Sequence, residues 1–249
     1  MSVAPTSGTN ADLSAIATFD ELVVKQTRRG WCQEMLCGCE AKTEFNVIDP
    51  KSKNKVFYIL EESSFCIRLC CGTARPFTMN MHVGEDGDGP LFATFDKPFT
   101  CVQPGPCKCC CKHHIIANST DGTRIGKTEE GFYVCVPSLD VYESGSKQYS
   151  IEKGGCCPCA VFEFCAQPFV IKDTSGSTVG EVNKKFGGWQ ELFTDADTFQ
   201  VKFPSGAGDG AKVNLIASVM LLNQLFFESD KDKDQMGGAP PKENEEMER

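Results

Sequence analysis

Short apolar segments alternate with polar turns along most of the chain, which is the pattern typical of β-hairpins. Residues 43–50 and 55–61 alternate between polar and apolar positions around a turn of Lys, Ser and Asn. The same arrangement recurs within residues 77–95, 115–126 and 161–182, each time around a turn that contains Gly. The pattern therefore predicts a mainly β protein built from consecutive antiparallel strands.

Two stretches of the chain repeat the same order of motifs. Residues 58–99 run through YILEE, a cysteine group, RPFTMNM, a Gly-Asp turn and FDKPF. Residues 149–186 run through YSIEK, a cysteine group, QPFVIKD, a Ser-Gly turn and VNKKF. A repeated meander favours a closed, pseudo-symmetric sheet, and closure removes the exposed edges of many short strands. We therefore expect a closed antiparallel barrel of about 12 strands.

One segment near the end of the chain departs from the β pattern. Residues 211–227 are apolar on nearly every face and contain neither Gly nor Pro. A helix that is hydrophobic all round must be buried in protein or in lipid. This one is short for a bilayer and carries Asn214, Asn223 and Gln224, which are costly in hydrocarbon. We favour a central helix that fills the barrel, with a membrane span as the alternative.

The two ends of the chain predict no packed structure. Residues 1–18 are small and polar, and residues 229–249 are rich in Asp, Glu, Lys, Gly and Pro. We expect a disordered leader at 1–18, a β-barrel domain with its helix at 19–228, and a disordered acidic tail at 229–249. The leader has no basic start and no apolar core, so we expect no secretory signal and a chain that begins in the cytosol.

The charge of the chain excludes one class of partner. The net charge is -9 and the isoelectric point is about 5.0. An acidic chain gains no counterion-release energy from nucleic acid, so no DNA or RNA partner is expected. In the cytosol thiols stay reduced, so the 16 cysteines need an explanation other than disulfides.

A cluster of four thiols stands out among these cysteines. Cys107, Cys109, Cys110 and Cys111 follow a Pro-Gly-Pro turn and are flanked by lysines. S-palmitoylation of several of them would give stable membrane anchoring, because one acyl chain alone binds only marginally. Two readings stay open beside this one: a thiolate metal site that recruits other cysteines, and semi-buried thiols on a turn.

An acidic segment offers candidate metal ligands of a different kind. Asp195 and Asp197 are carboxylates at alternate positions, which is an arrangement that a hard cation such as calcium can use. The segment lacks the Gly and the terminal Glu of an EF-hand loop. Capping of a helix by Asp195, followed by an ordinary strand, is therefore the competing interpretation.

The residues of ordinary enzyme active sites do not form a recognisable set. The three histidines are His82, His113 and His114, and the adjacent pair should point to opposite faces of a strand. The sequence contains no nucleophile elbow, phosphate-binding loop or dinucleotide fingerprint. We therefore predict a protein that is not an enzyme of ordinary active-site chemistry.

Four segments resemble the phospholipid scramblase family, and the resemblance extends over residues 19–228. CCGTARPFTMNM at residues 70–81 resembles the family's Cys-Gly-Arg-Pro-Phe stretch, and the cluster at 107–111 resembles its palmitoylation site. ELFTDADTFQVKFP at residues 191–204 resembles its calcium-binding segment. LLNQLFFES at residues 221–229 resembles the end of its hydrophobic helix.

The resemblance implies a fold, an activity and a set of ligands. The family fold is similar to the tubby-like barrel, and the activity attributed to the family is calcium-dependent, ATP-independent, bidirectional movement of phospholipids between leaflets. Its cofactors are calcium and palmitoyl groups on cysteine. Carried over to this chain, the calcium set comprises Asp195, Asp197, Phe199, Val201, Phe203 and Asp209.

The same resemblance predicts location and partners. It implies the cytoplasmic face of the plasma membrane, with lipid-anchored or single-pass attachment, and membrane phospholipids as partners. Many members carry a proline-rich leader that binds SH3 and WW domains; this leader has none, so those partners are not expected. One short helix offers no polar path for a headgroup, so lipid transport would need a homo-oligomer or bilayer deformation. The alternatives are a palmitoylated adaptor or lipid-binding regulator without lipid transport, and a thiolate metal protein.

Overall fold

The protein is described from a computed structural model that covers residues 12–28, 43–62, 71, 74–101, 111–133, 136–154, 168–185 and 198–228. Twelve antiparallel strands close into one barrel, and each strand pairs with its neighbours in sequence. Pairing of the first strand with the last closes the barrel, with Val24 opposite Phe199 and Leu22 opposite Val201. The predicted fold class, a closed antiparallel barrel with a central C-terminal helix, is confirmed.

The strands are β1 (Glu21–Arg28), β2 (Thr43–Ile48), β3 (Lys55–Glu62), β4 (Phe77–Val83), β5 (Leu91–Lys97), β6 (His114–Ser119), β7 (Arg124–Glu130), β8 (Ser138–Glu143), β9 (Ser146–Lys153), β10 (Phe169–Asp173), β11 (Thr178–Lys185) and β12 (Thr198–Lys202). Helix α1 spans Asp209–Asn223 and continues into a π-helical turn at Gln224–Glu228. The predicted helix at 211–227 is therefore found, with its start two residues earlier. A hairpin strand predicted at residues 161–164 lies outside the described residues.

Alternation of polarity along the strands sends every second side chain into the barrel. In β3, Phe57, Ile59 and Glu61 are buried, whereas their neighbours are partly or fully exposed. The two predicted repeats correspond to β3–β4–β5 and β9–β10–β11. These two meanders start six strands apart in a barrel of 12, so the repeated motifs lie on opposite sides of the barrel.

Helix α1 occupies the centre of the barrel. Every residue of α1 from Ala211 to Asn223 is buried, and the helix packs against β6, β7 and β8. Twelve strands enclose more space than strand side chains alone fill, so the helix completes the core. The expectation that this segment fills the barrel, and not the alternative of a membrane span, matches the structure.

Ordered structure begins earlier than the sequence suggested. Leu13–Ile16 form a 3₁₀-helix, and the Asp12 carboxylate accepts a hydrogen bond from the Ser14 backbone amide. Ile16 is fully buried in the core. The predicted disordered leader at 1–18 therefore overlaps a segment that closes one end of the barrel.

Candidate functional site

The two ends of the barrel carry very different connecting segments. We call the end at which β1, β3, β5, β7, β9 and β11 finish the cysteine end, and the opposite one the turn end. In the sequence, all 16 cysteines belong to the segments that join strands across the cysteine end. The turn end is connected mainly by short segments rich in Gly, Ser and Asp, such as Gly84–Pro90 and Thr120–Thr123. The strand ends that flank both predicted sites in the sequence, those of β5 and β6 for the acylation cluster and of β11 and β12 for the acidic segment, therefore lie on the same side of the barrel.

The predicted acylation cluster lies in the segment between β5 and β6. Cys107, Cys109 and Cys110 are outside the described residues. Cys111 is half-buried and lies three residues before the start of β6 at the cysteine end. Its neighbour Lys112 donates to the Glu129 carboxylate on β7 at 3.2 Å, so the end of the segment contacts the barrel wall here.

The predicted calcium ligands are distributed over both ends of β12. Asp195 and Asp197 lie outside the described residues, but Asp197 precedes Thr198, the first residue of β12, at the cysteine end. Phe199, Val201 and Phe203 point into the core, so only their backbone oxygens could bind a cation. β12 pairs with β1 on one side and with β11 on the other, so backbone groups of β12 already form hydrogen bonds within the sheet.

Asp209 lies at the opposite end from Thr198. It opens α1 at the turn end, where an added Cβ on the next residue, Gly210, would be 3.1 Å from Glu143 on β8. A five-residue strand such as β12 extends about 13 Å. That exceeds what two aspartates can bridge through one calcium ion with ligand distances of about 2.3–2.6 Å. The structure therefore does not bring Asp209 together with the start of β12.

Three polar side chains of α1, those of Lys212, Asn214 and Ser218, have hydrogen-bond partners inside the barrel, whereas the buried amide of Gln224 in the turn that follows has none among the described residues. The Asn214 amide donates to the Tyr142 carbonyl at 3.0 Å, and Ser218 lies 2.7 Å from the Thr128 hydroxyl. The Lys212 ammonium donates to the carbonyls of Ala17 and Phe19 at 2.7 and 2.8 Å. These three groups, which would be costly in hydrocarbon, thus have partners supplied by the barrel wall and by the segment before β1.

A buried charged cluster lies near the cysteine end, and the sequence did not reveal it. Arg75 and Glu61 form a buried ion pair at 3.4 Å. The Lys97 ammonium donates to the Arg75 carbonyl at 2.9 Å. Burial, together with the positive charge of Arg75, lowers the pKa of Lys97 to about 8. The only sequence signal was an arginine inside the RPF motif, which gives no indication of its partners.

Aromatic rings close the barrel around the C-terminal end of α1. Phe227 packs against Phe169 and Phe199, with ring centroids 6.3 and 5.4 Å apart. The Lys184 ammonium lies 3.8 Å from the Phe227 ring centroid, which is a cation–π contact. The Tyr133 hydroxyl donates to Glu130 at 2.8 Å, and burial raises the pKa of Tyr133 to about 12.

The histidines occupy the positions expected from strand alternation. His113 is fully buried and His114, the first residue of β6, is half-buried. Within the described ranges, no group of three or more His, Cys, Asp or Glu side chains is arranged to hold a metal ion. In the same ranges one helical stretch, Asp209–Phe227, is long and apolar enough to cross a membrane, and most of it is buried inside the barrel.

Comparison with known proteins identifies the family. The Scramblase family model matches residues 1–229. Phospholipid scramblase 1 of Mus musculus is 28% identical over 230 residues, which cover 91% of this chain and 67% of that protein. Phospholipid scramblase 2 of Bos taurus is 26% identical over 219 residues, covering 87% of this chain and 71% of that protein. The chain thus spans about two thirds of the length of these relatives.

A search of the solved structures finds no match to this chain. The family assignment therefore comes from the sequence comparison, and the barrel with its central helix is what this sequence adopts. Since the family model covers every described strand and α1, the chain belongs to the Scramblase family.

Proposed function

We propose that this protein is a phospholipid scramblase, which moves phospholipids in both directions across the bilayer in a calcium-dependent and ATP-independent way. The observation that carries the proposal is the match of the Scramblase family model to residues 1–229, with relatives named phospholipid scramblases. Membership of this family implies association with membranes and contact with phospholipids. The remaining points concern how this chain would attach, respond to calcium and act on lipids.

Attachment through acyl chains fits the position of α1. A helix whose residues are buried by the barrel wall cannot span a bilayer while the barrel stays closed. We therefore assign anchoring to S-palmitoyl groups on Cys107, Cys109, Cys110 and Cys111. Two or more chains give stable binding where one is marginal. The proposed site of attachment is the cytoplasmic face of the plasma membrane.

Calcium would act close to the same membrane contact. Asp195 and Asp197 belong to the segment that joins β11 to β12 across the cysteine end, as the acylation cluster joins β5 to β6. Uncompensated carboxylates are repelled by anionic lipid headgroups. A calcium ion bound by both aspartates would neutralise them and allow this end of the barrel to approach the bilayer more closely.

The filled barrel limits how lipid could move. Leu215, Ile216 and Leu222 are fully buried, so the interior already forms a packed core. A lipid headgroup would therefore travel along the outside of the protein, with help from local thinning of the bilayer or from a second copy of the chain. A core packed with side chains leaves no water-filled path through which a headgroup could pass.

Reconstitution into vesicles tests the activity directly. The purified full chain is placed in liposomes that contain a fluorescent phospholipid, and a membrane-impermeant quencher measures the label in the outer leaflet. We expect calcium to accelerate leaflet exchange without ATP, and Asp195→Asn with Asp197→Asn to lose the acceleration. Exchange at the rate of protein-free vesicles, at every calcium concentration, would reject the proposal.

The filled interior also supports a second candidate function, an acylated adaptor that binds membranes without moving lipid. Cell fractionation of a variant in which Cys107, Cys109, Cys110 and Cys111 are all Ser tests the shared attachment step. Loss from the membrane fraction, combined with no leaflet exchange by the wild-type protein in vesicles, would favour the adaptor.

A further inference from the structure

Two large aromatic side chains are exposed to solvent although the core is well filled. Phe99 is 58% exposed and Phe132 is 73% exposed. Among the described residues, these two are the large hydrophobic side chains that are exposed to solvent. Each ring keeps much of its apolar surface in contact with water, which burial would relieve. A single exposed ring is common, but two that share one rim can form part of a binding surface.

Both aromatics lie on the same rim of the barrel. Phe99 follows the end of β5 by two residues, and Phe132 follows the end of β7 by two residues. β6 runs between these strands, so β5 and β7 are about 10 Å apart across the sheet. Cys111, Lys112 and His113 lead into β6 on the same rim.

The sequence of the connecting segments extends this asymmetry. Both tryptophans, Trp31 and Trp189, belong to segments that join strands across the cysteine end. So do the phenylalanines Phe65, Phe99, Phe132, Phe162, Phe164, Phe186 and Phe193. The segments at the turn end contain two aromatic residues: Phe203, which is buried, and Phe19 before β1, which is partly buried and packs against the core.

The turn end carries a local concentration of acidic side chains, although Lys51 and Lys53 in the turn between β2 and β3 are also exposed there. Exposed carboxylates crowd the turn between β4 and β5, at Glu85, Asp86 and Asp88, and Asp121 occupies the turn between β6 and β7. An anionic bilayer surface repels such a cluster over roughly a Debye length of about 8 Å. The turn end is therefore the unfavourable end for approach to a membrane.

We propose that the cysteine end is the membrane-docking face of the barrel and that Phe99 and Phe132 insert at the boundary between headgroups and acyl chains. The occupant is a phospholipid bilayer, and the acidic turn end faces the cytosol. This inference deepens the proposed function, on whose membrane association it rests. It assigns direct lipid contact to two side chains that act independently of acylation.

Insertion of each ring should contribute about tenfold to the vesicle partition constant, because partial burial of a phenylalanine is worth about 1.4 kcal/mol. The full chain is purified without acyl groups and mixed with vesicles of phosphatidylcholine and phosphatidylserine. Flotation then measures the fraction bound for the wild type, Phe99→Ser, Phe132→Ser and the double variant. We expect a decrease of about tenfold for each single change and about a hundredfold for both.

Gln148→Phe is the matched control. Gln148 is exposed on β9 on the side toward the turn end, so this change adds an accessible ring in the wrong place. In the Phe99→Ser, Phe132→Ser background it should not restore binding. Restoration would mean that any exposed ring promotes adhesion, and the assigned orientation would be wrong.

Photocrosslinking supplies a second readout that does not depend on affinity. Benzoylphenylalanine at position 99 or 132 should form adducts with lipid in the same vesicles, whereas the same group at position 148 should not. Two results would contradict the proposed docking face. One is the formation of adducts only with protein, and the other is vesicle binding by the double variant that equals binding by the wild type. Leaflet exchange in detergent-reconstituted vesicles is measured separately, so the docking face and the proposed scrambling activity can fail independently.

Discussion

The hydroxyl groups of Ser218 and Thr128 lie 2.7 Å apart in the centre of the barrel, and both residues are fully buried. Ser218 comes from α1 and Thr128 from β7, so this contact joins the filling helix to the wall. Thr128 also donates to the Asn214 side chain at 3.4 Å. A packed apolar interface could allow the helix to rotate, whereas these directional contacts select one orientation.

Removing the Thr128 hydroxyl should therefore cost stability. Thr128→Val preserves shape but leaves Ser218 and Asn214 with fewer partners, and we expect a loss of about 1–2 kcal/mol in the free energy of unfolding. Thr178→Val, at an exposed position of β11, is the isosteric control and should change stability by less than about 0.5 kcal/mol. Urea unfolding measures both; equal effects would show that the contact does not stabilise the helix position.

Gly126 should tolerate no side chain, because β7 approaches α1 closely there. A Cβ at this position would lie 2.4 Å from the Asn214 amide nitrogen and 2.9 Å from the Tyr142 carbonyl oxygen. We expect Gly126→Ala to destabilise the protein by about 2–3 kcal/mol. Gly87→Ala adds the same methyl in an exposed turn, where the nearest atom, on the Tyr58 ring, is 3.5 Å away, and it should be nearly neutral. A thermal melt that cannot distinguish the two variants would contradict this packing.

The segment before β1 should contribute to the core, although it looks like a polar leader. Ile16→Ala removes a fully buried side chain, and we expect a loss of about 2–4 kcal/mol in unfolding free energy. Ala15→Ser, at the exposed neighbouring position, should change it by less than about 0.5 kcal/mol. If Ile16→Ala unfolds at the wild-type urea concentration, residues 13–16 do not stabilise the barrel.

Lys97 should make stability depend on pH in the alkaline range. Its folded pKa, about 8, is below the ordinary value of 10.5, so the unfolded chain binds more protons between these values. The contribution of Lys97 to the free energy of unfolding is therefore lowest below pH 8. It rises by up to about 3 kcal/mol as the pH increases toward 10.5.

Lys97→Met removes the titrating ammonium group. The difference in stability between the wild type and this variant therefore isolates the pH dependence that Lys97 contributes. Relative to Lys97→Met, the wild-type protein should gain stability between pH 7.5 and 10 in urea unfolding, with the pH values chosen around the folded pKa of about 8. Lys55→Met, on the exposed start of β3, is the control that should follow the wild-type profile. A constant difference between wild type and Lys97→Met across this range would contradict the lowered pKa.

Calcium affinity should distinguish the aspartates of the acidic segment from Asp209. The two ends of β12 lie too far apart for one ion, so Asp209→Asn should leave the calcium dissociation constant unchanged within about twofold. Asp195→Asn and Asp197→Asn should each weaken it by about tenfold or more. Isothermal titration calorimetry of the three variants provides the comparison, and a large effect of Asp209→Asn would place the ion elsewhere.

Local patterns predicted most of the architecture. Alternation in β3 and β4 and the turn chemistry between strands are properties of neighbouring residues, and they predicted the hairpins correctly. The location of α1 followed from its uniform hydrophobicity together with Asn214, because a polar amide finds partners in a barrel more easily than in lipid.

The features that were missed depend on distant residues. The Glu61–Arg75–Lys97 cluster combines the ends of three strands, and no pattern within one strand indicates it. Ile16 is a single apolar residue among polar neighbours, so its burial becomes visible only once the barrel is closed. The separation of Asp209 from Thr198 likewise required knowledge that α1 starts at the turn end.

The order of the elements has a consequence for biosynthesis. α1 follows all twelve strands along the chain, so during translation every strand leaves the ribosome before the helix that fills the barrel. β1 can pair with β12 at that stage, but the inward side chains of the strands still lack their central partner. We expect a nascent chain in this condition to expose apolar sheet surface and to be prone to aggregation until α1 emerges and completes the core.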